Sequence, residues 1–132
     1  MRVNDGRAIP NFLKQALTGK DLTVYGNGSQ TRSFCFVSDL VEGIYRLLMS
    51  EQNYPVNIGN PNEMTVKEMA DKILQATNSK SKIIRVPLPE DDPKIRQPDI
   101  TRAKKHLNWE PVISLDEGLQ STLEYFKEQL NI

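Results

Sequence analysis

One cysteine, one histidine and one tryptophan are spread over 132 residues, and neither charge sign is in excess. The lone thiol, Cys35, cannot close an internal disulfide, and with His106 as the single histidine no zinc-type Cys/His cluster can form. Cys35 lies in the apolar run Phe34 to Val37, which predicts a buried, unreactive thiol and a reducing, cytoplasmic setting. His106 sits in a polar helical patch and reads as a surface histidine. Basic and acidic residues balance at 17 each, so no net field argues for nucleic acid or for a strongly charged partner. No apolar run approaches the roughly 18 residues of a membrane span. No signal-peptide pattern stands out, so the Asn27-Gly28-Ser29 sequon is discounted as a glycosylation site.

Catalytic signatures are equally sparse. There is no P-loop lysine motif. Gly26-Asn27-Gly28 fails as a dinucleotide fingerprint, because position 31 is threonine and Arg32 to Val37 continues as strand where that motif needs a helix. Glu90, Asp91 and Asp92 form a short acidic run that reads as a solvated loop.

What is present is a regular alternation of helices and short strands in a chain of a size that suits one domain. Ile9, Phe12, Leu13, Ala16 and Leu17 recur at helical spacing, with Pro10 in the first turn and Gly19 as the stop, which predicts a helix over 8–18. A strand pair is expected within Leu22 to Val37. A helix capped by Ser38 or Asp39 follows, with Leu40, Val41, Ile44, Leu47 and Leu48 as its buried stripe. Pro55 to Gly59 reads as a strand, Thr65 to Glu68 as a capping box opening a helix to about Asn78, and Lys82 to Pro87 as another strand. An irregular loop to Pro98 leads to a helix capped by Asp99. A second capping box, Ser114 to Glu117, opens the last helix, with Leu115, Leu119, Thr122, Leu123, Phe126 and Leu130 on one face. The sum is an α/β (α+β) architecture of short strands packed with about five helices, its strand order unreadable.

The segment Leu22 to Asp39 carries the chemistry. Leu22-Thr23-Val24-Tyr25 is a β-rich stretch, Gly26 and Gly28 let the backbone turn close to a ligand, and Arg32 follows. A nucleoside diphosphate asks for these parts, because arginine offers its pyrophosphate planar donors and an aromatic such as Tyr25 can cover its base. The same residues also fit a plain turn at Asn27-Gly28 with a half-buried tyrosine and a solvated arginine. Arg96 lies between Pro93 and Pro98, in a loop stiff enough to hold it in place, and reads equally as an ordinary loop arginine.

Seven elements then occur in sequence: Asn4-Asp5-Gly6-Arg7, Leu22 to Gly26, Ser29-Gln30-Thr31-Arg32, Phe36 to Leu40, Asn57 to Pro61, Arg96-Gln97-Pro98-Asp99-Ile100 and Trp109-Glu110-Pro111. In this order they resemble the UDP-glucuronate decarboxylases of the extended short-chain dehydrogenase/reductase superfamily, which also holds nucleotide-sugar epimerases and 4,6-dehydratases. The resemblance covers essentially the whole chain. It implies the carboxyl-terminal, UDP-sugar-binding region (1–132) of an enzyme that oxidises C4 of UDP-glucuronate with NAD, releases CO2 and reduces the 4-keto sugar to UDP-xylose. None of the four tyrosines is followed four residues later by lysine, so the Tyr-x-x-x-Lys pair and the NAD fingerprint are expected outside this chain. By the same resemblance Leu22, Thr23, Val24, Tyr25 and Gly26 form the UDP-binding stretch, with Tyr25 near the uracil. Arg32 meets the pyrophosphate, and Arg7 lies at the nucleotide end. Arg96 is implied as the catalytic residue, binding the sugar carboxylate and donating a proton after decarboxylation; its high pKa favours the electrostatic role. The family implies a homodimeric parent enzyme. The alternatives are another epimerase or 4,6-dehydratase of the superfamily, and a nucleotide-binding domain without chemistry.

Overall fold

The computed structural model describes residues 1–132. Helix α1 (Ala8–Leu17) turns Phe12, Leu13 and Ala16 inward, as the spacing predicts. It ends at Gly19, whose φ of +70° is a conformation glycine adopts freely. Strand β1 (Leu22–Tyr25) alternates, with Leu22 and Val24 in the core and Tyr25 exposed.

Strand β2 (Thr31–Ser33) does not pair with β1, contrary to the expected strand pair. The partner of β1 is β4 (Ile83–Val86), in parallel register from Leu22 opposite Ile83 to Tyr25 opposite Val86. Strand β2 pairs antiparallel with β3 (Glu63–Thr65), Arg32 opposite Met64. The turn between β1 and β2 is drawn away by helix α3 (Val66–Thr77): Lys67 N donates to Gly28 O at 3.1 Å and Val66 N to Gln30 O at 2.9 Å. A Cβ on Gly28 would stand 2.9 Å from Lys67 Cβ and from Val24 Cγ1, so this close approach, at φ +74°, needs glycine. Pro55 to Gly59 is likewise not a strand. Its backbone finds no ladder partner in the chain, and a strand without one does not form. Ile58 packs instead on Trp109 and its neighbours.

Both arms of the capping box on α3 are made, Glu68 N to Thr65 Oγ1 at 3.1 Å and Thr65 N to Glu68 Oε2 at 2.8 Å. On α5 (Leu115–Leu130) Ser114 Oγ accepts from Glu117 N at 3.2 Å. Between them, α4 (Thr101–Leu107) begins after Ile100, one residue beyond the expected cap, yet the Asp99 carboxylate accepts from both Thr101 N and Thr101 Oγ1. Those bonds, the side-chain one foremost, hold the exposed Asp99 carboxyl below its ordinary pKa. A lowered folded-state pKa means that Asp99 stabilises the chain above the unfolded value of about 3.9, and that this contribution is lost as pH falls through the folded value. The expected result is that Asp99→Ala melts below wild type at neutral pH and that the gap closes on acidification below pH ~4, read from paired thermal melts.

The main core joins α1, β1, α3 and α5 around Leu13, Met69, Ile73, Leu123 and Phe126. A smaller cluster of Ile100, Ala103, Leu107 and Trp109 lies under α4. Helix α2 (Val37–Leu48) corrects the sequence reading twice. Its N-cap is Phe36, and Asp39 lies inside the first turn. Of its expected buried stripe, Val41, Ile44 and Leu48 face solvent, as do Val37 and Tyr45. The inward face carries Asp39 and Gly43 instead, because Ile58 and Trp109 press on the helix there: a Cβ on Gly43 would meet Ile58 Cγ2 at 2.5 Å. No helix is long and apolar enough to cross a membrane.

Candidate functional site

The parallel pair β1 and β4 ends at Tyr25 and Val86, and the two segments that leave those ends form the candidate site. From β1 the chain passes through Gly26 and Gly28, both at positive φ, and Asn27 Oδ1 accepts from Ser29 N at 3.0 Å to tighten the turn. Gln30 then folds inward to 6% exposure and donates its side-chain amide to Tyr25 O at 3.1 Å, which ties the start of β2 to the end of β1. From β4 the segment 87–98 runs back along β2. Thr31 N donates to Lys94 O at 2.7 Å, and Ser33 Oγ to Arg96 O at 3.2 Å.

Arg32 sits between these segments. Its Nη1 donates to Thr31 O at 2.7 Å and to Pro93 O at 2.8 Å, and its Nη2 to Asp92 Oδ1 at 2.7 Å. The side chain is 18% exposed. Arg32 is therefore not the solvated arginine of the plain-turn alternative, and Asp92 is not the solvated loop carboxylate expected from the acidic run. Sequence reasoning missed Asp92, whose partner lies 60 residues away along the chain. Pro93 directly after it, which stiffens that part of the loop, was the only local signal.

Arg96 lies on the same loop with its carbonyl fixed by Ser33 and its guanidinium exposed, making no hydrogen bond or ion pair within the chain. The Arg96 backbone is thus brought to β2 at Ser33, the residue after Arg32. Two arginines on adjacent segments, one held and one without a partner, suit a ligand with two separated anionic groups. Tyr25, 48% exposed, offers a flat apolar face at the β1 end. Arg7 precedes α1 and pairs with Asp5 at 2.9 Å. Leu22 and Val24 belong to the main core, so their side chains set the strand and face away from solvent. Thr23 is gripped by Gln15, which donates to its Oγ1 at 3.0 Å and accepts from its N at 3.2 Å. A cleft of about 570 Å³ lies elsewhere, between the β3 end and the 110–115 turn, and none of Tyr25, Arg32 and Arg96 lines it.

Two further features complete the electrostatics. Asp39, 5% exposed, accepts through Oδ2 from Val112 N at 3.1 Å and Ile113 N at 2.9 Å, and Trp109 Nε1 donates to its carbonyl at 3.0 Å. Partial burial, helped by the Asp39 charge, pushes the Cys35 thiol above its ordinary pKa, so it stays protonated at neutral pH. His106 is exposed on α4, as the sequence predicts.

With the geometry in hand, comparison with known proteins is specific. Residues 3–122 match the GDP-mannose 4,6 dehydratase family. The chain is 52% identical over 130 residues to UDP-glucuronic acid decarboxylase 1 of Danio rerio, covering 98% of this chain and 31% of that protein. It is 46% identical over 132 residues to UDP-glucuronic acid decarboxylase 5 of Arabidopsis thaliana, covering 100% and 39%. The chain thus spans between about a third and two fifths of the length of these relatives. Among solved structures, UDP-glucose 4-epimerase from Thermotoga maritima with UDP-glucose superposes with a TM-score of 0.90 at 29% identity, over 94% of this chain and 40% of that one. UDP-glucuronic acid 4-epimerase from Bacillus cereus in complex with UDP-glucuronic acid and NAD superposes with a TM-score of 0.89 at 26% identity, over 98% and 41%. The architecture, the ordered motifs and these matches agree that this chain belongs to the GDP-mannose 4,6 dehydratase family of the extended short-chain dehydrogenase/reductase superfamily.

Proposed function

We propose that this chain is the UDP-sugar-binding region of an NAD-dependent UDP-glucuronate decarboxylase, the parent enzyme converting UDP-glucuronate to UDP-xylose and CO2. The observation that carries the reading is the alignment of loop 92–96 along β2, which puts Arg32 and Arg96 on neighbouring segments at the Tyr25 end of the sheet. In this reading Tyr25 covers the uracil, the backbone of Leu22 to Gly26 borders the nucleoside, and Arg32 binds the pyrophosphate. Arg7 stays at the nucleotide end. Arg96 takes the C6 carboxylate in a bidentate pair. A guanidinium holds its protons so firmly that it serves as an orienting positive charge far better than as a proton donor. Similarity to the decarboxylases of both a fish and a plant favours this substrate over a neutral sugar nucleotide.

A dinucleotide does not fit the glycine turn. Gly26 and Gly28 lead into strand β2, where a pyrophosphate cradle needs a helix N-terminus. NAD, present in the Bacillus cereus structure, is therefore assigned to the remainder of a longer parent, and the residues here supply substrate contacts. A homodimeric parent in the reducing cytoplasm, where Cys35 stays a thiol, completes the reading.

The test is competition between sugar nucleotides on this chain. UDP-glucuronate should bind about three- to tenfold more tightly than UDP-glucose, and Arg96→Ala should erase that difference while leaving UDP itself unaffected. Equal affinity of the wild-type chain for both ligands would remove the carboxylate from the reading and favour a neutral-sugar epimerase or dehydratase.

A further inference from the structure

Arginine is a costly phosphate ligand when it is mobile, because binding must freeze a long side chain. Arg32 is already fixed. Three of its five N–H groups are engaged, two by the carbonyls of Thr31 and Pro93 and one by Asp92 Oδ1, which leaves Nε–H and one Nη2–H without an acceptor in the chain. The carbonyl of Thr31 belongs to the residue next to Arg32, whereas Asp92 and Pro93 come from the loop that follows β4.

We infer that Asp92 is a positioning residue for nucleotide binding: it holds the Arg32 guanidinium so that the two remaining N–H groups are presented, preorganised, to a diphosphate. The inference rests on the proposed role of Arg32 and goes beyond it by assigning a function to the acidic loop. Two effects of Asp92 oppose each other, since its charge also repels the incoming phosphate. The repulsion acts near the protein surface, where water and salt screen it. The hydrogen bond acts at 2.7 Å with both side chains mostly covered, 18% exposed for Arg32 and 25% for Asp92. Positioning therefore prevails over repulsion. What matters is an acceptor at Oδ1, and an amide oxygen of the same shape can provide it.

The experiment is an NMR titration of this chain with UDP and, separately, with uridine, following the Arg32 side-chain Nε–H signal and the Tyr25 amide. Asp92→Ala should raise the Kd for UDP about three- to tenfold and broaden or shift the free Nε–H signal, while the Kd for uridine stays put. Asp92→Asn should return UDP affinity to within about twofold of wild type, because it keeps the acceptor and drops the charge. Unchanged or tighter UDP binding by Asp92→Ala would overturn the inference and make Asp92 a competitor for Arg32. An equal loss for UDP and uridine would overturn it as well, reducing Asp92 to loop support. Failure of the underlying reading looks different: Arg32→Ala would then bind UDP like wild type, or the wild-type chain would show no saturable UDP shift.

Discussion

Arg32→Ala is expected to weaken UDP binding by about ten- to a hundredfold, the loss of one charge-assisted hydrogen bond at ~1.5–3 kcal/mol. On the proposed reading, in which this chain supplies only part of the site, the starting affinity should lie at roughly 0.1–10 mM, within reach of NMR or calorimetry at high protein concentration. The variant removes more than charge. The guanidinium also clasps Pro93 O and Asp92, so its loss frees the middle of loop 87–98 from β2, leaving Lys94 O and Arg96 O as the remaining ties. Arg32→Lys separates the two effects. A lysine keeps the positive charge but cannot span two carbonyls, a carboxylate and a phosphate with one tetrahedral head, so it should recover little of the affinity. A Kd for Arg32→Ala within twofold of wild type would remove Arg32 from the nucleotide site.

The second large effect concerns Asp39. Two backbone N–H groups of the 112–113 turn depend on one oxygen of this buried carboxylate, and nothing else in the chain is placed to accept from them. Asp39→Ala strands both, which should cost about 3 kcal/mol and lower the melting temperature by roughly 10 °C for a domain of this size. Asp39→Asn, whose amide oxygen can take the same place, should lose only about 1 kcal/mol. The Asp39 charge also contributes to keeping the Cys35 thiol protonated, so either variant should speed alkylation of Cys35 in the folded chain, a change that loss of packing alone would not produce in the asparagine variant. A melting temperature for Asp39→Ala within about 3 °C of wild type would show that water satisfies the turn instead.

Legibility in the sequence follows the range of the interaction. Helices α1, α3 and α5 could be read because their signals are local: apolar residues at helical spacing, a threonine followed three residues on by a glutamate, a glycine stop. The elements of the proposed nucleotide site at Tyr25, Gly28 and Arg32 stand out for the same reason, as unusual residue types close together. The pairing of β2 with β3 could not be read, because strands of three residues carry too little alternation to set a register. Asp39 reads, with Ser38, as a candidate cap because aspartate near a helix start often is one; its use as a cross-link to residues over 70 positions away leaves no local trace. Asp92 was hidden by Glu90 and Asp91 beside it, since only the fold tells one carboxylate of three from the others. Helix α2 failed differently: its periodicity was correct, but periodicity gives the existence of an apolar face and not what that face meets.

That uncovered face, with Val37, Val41, Ile44, Tyr45 and Leu48 turned to water, has a thermodynamic corollary. Any surface that covers it binds the folded chain and not the unfolded one, so the apparent stability of the domain becomes a function of concentration, rising by RT ln(1 + [L]/Kd) with whatever ligand L caps the helix. A melting temperature measured on the dilute, solitary chain is then a floor, and its upward drift with concentration would report the affinity of α2 for its cover.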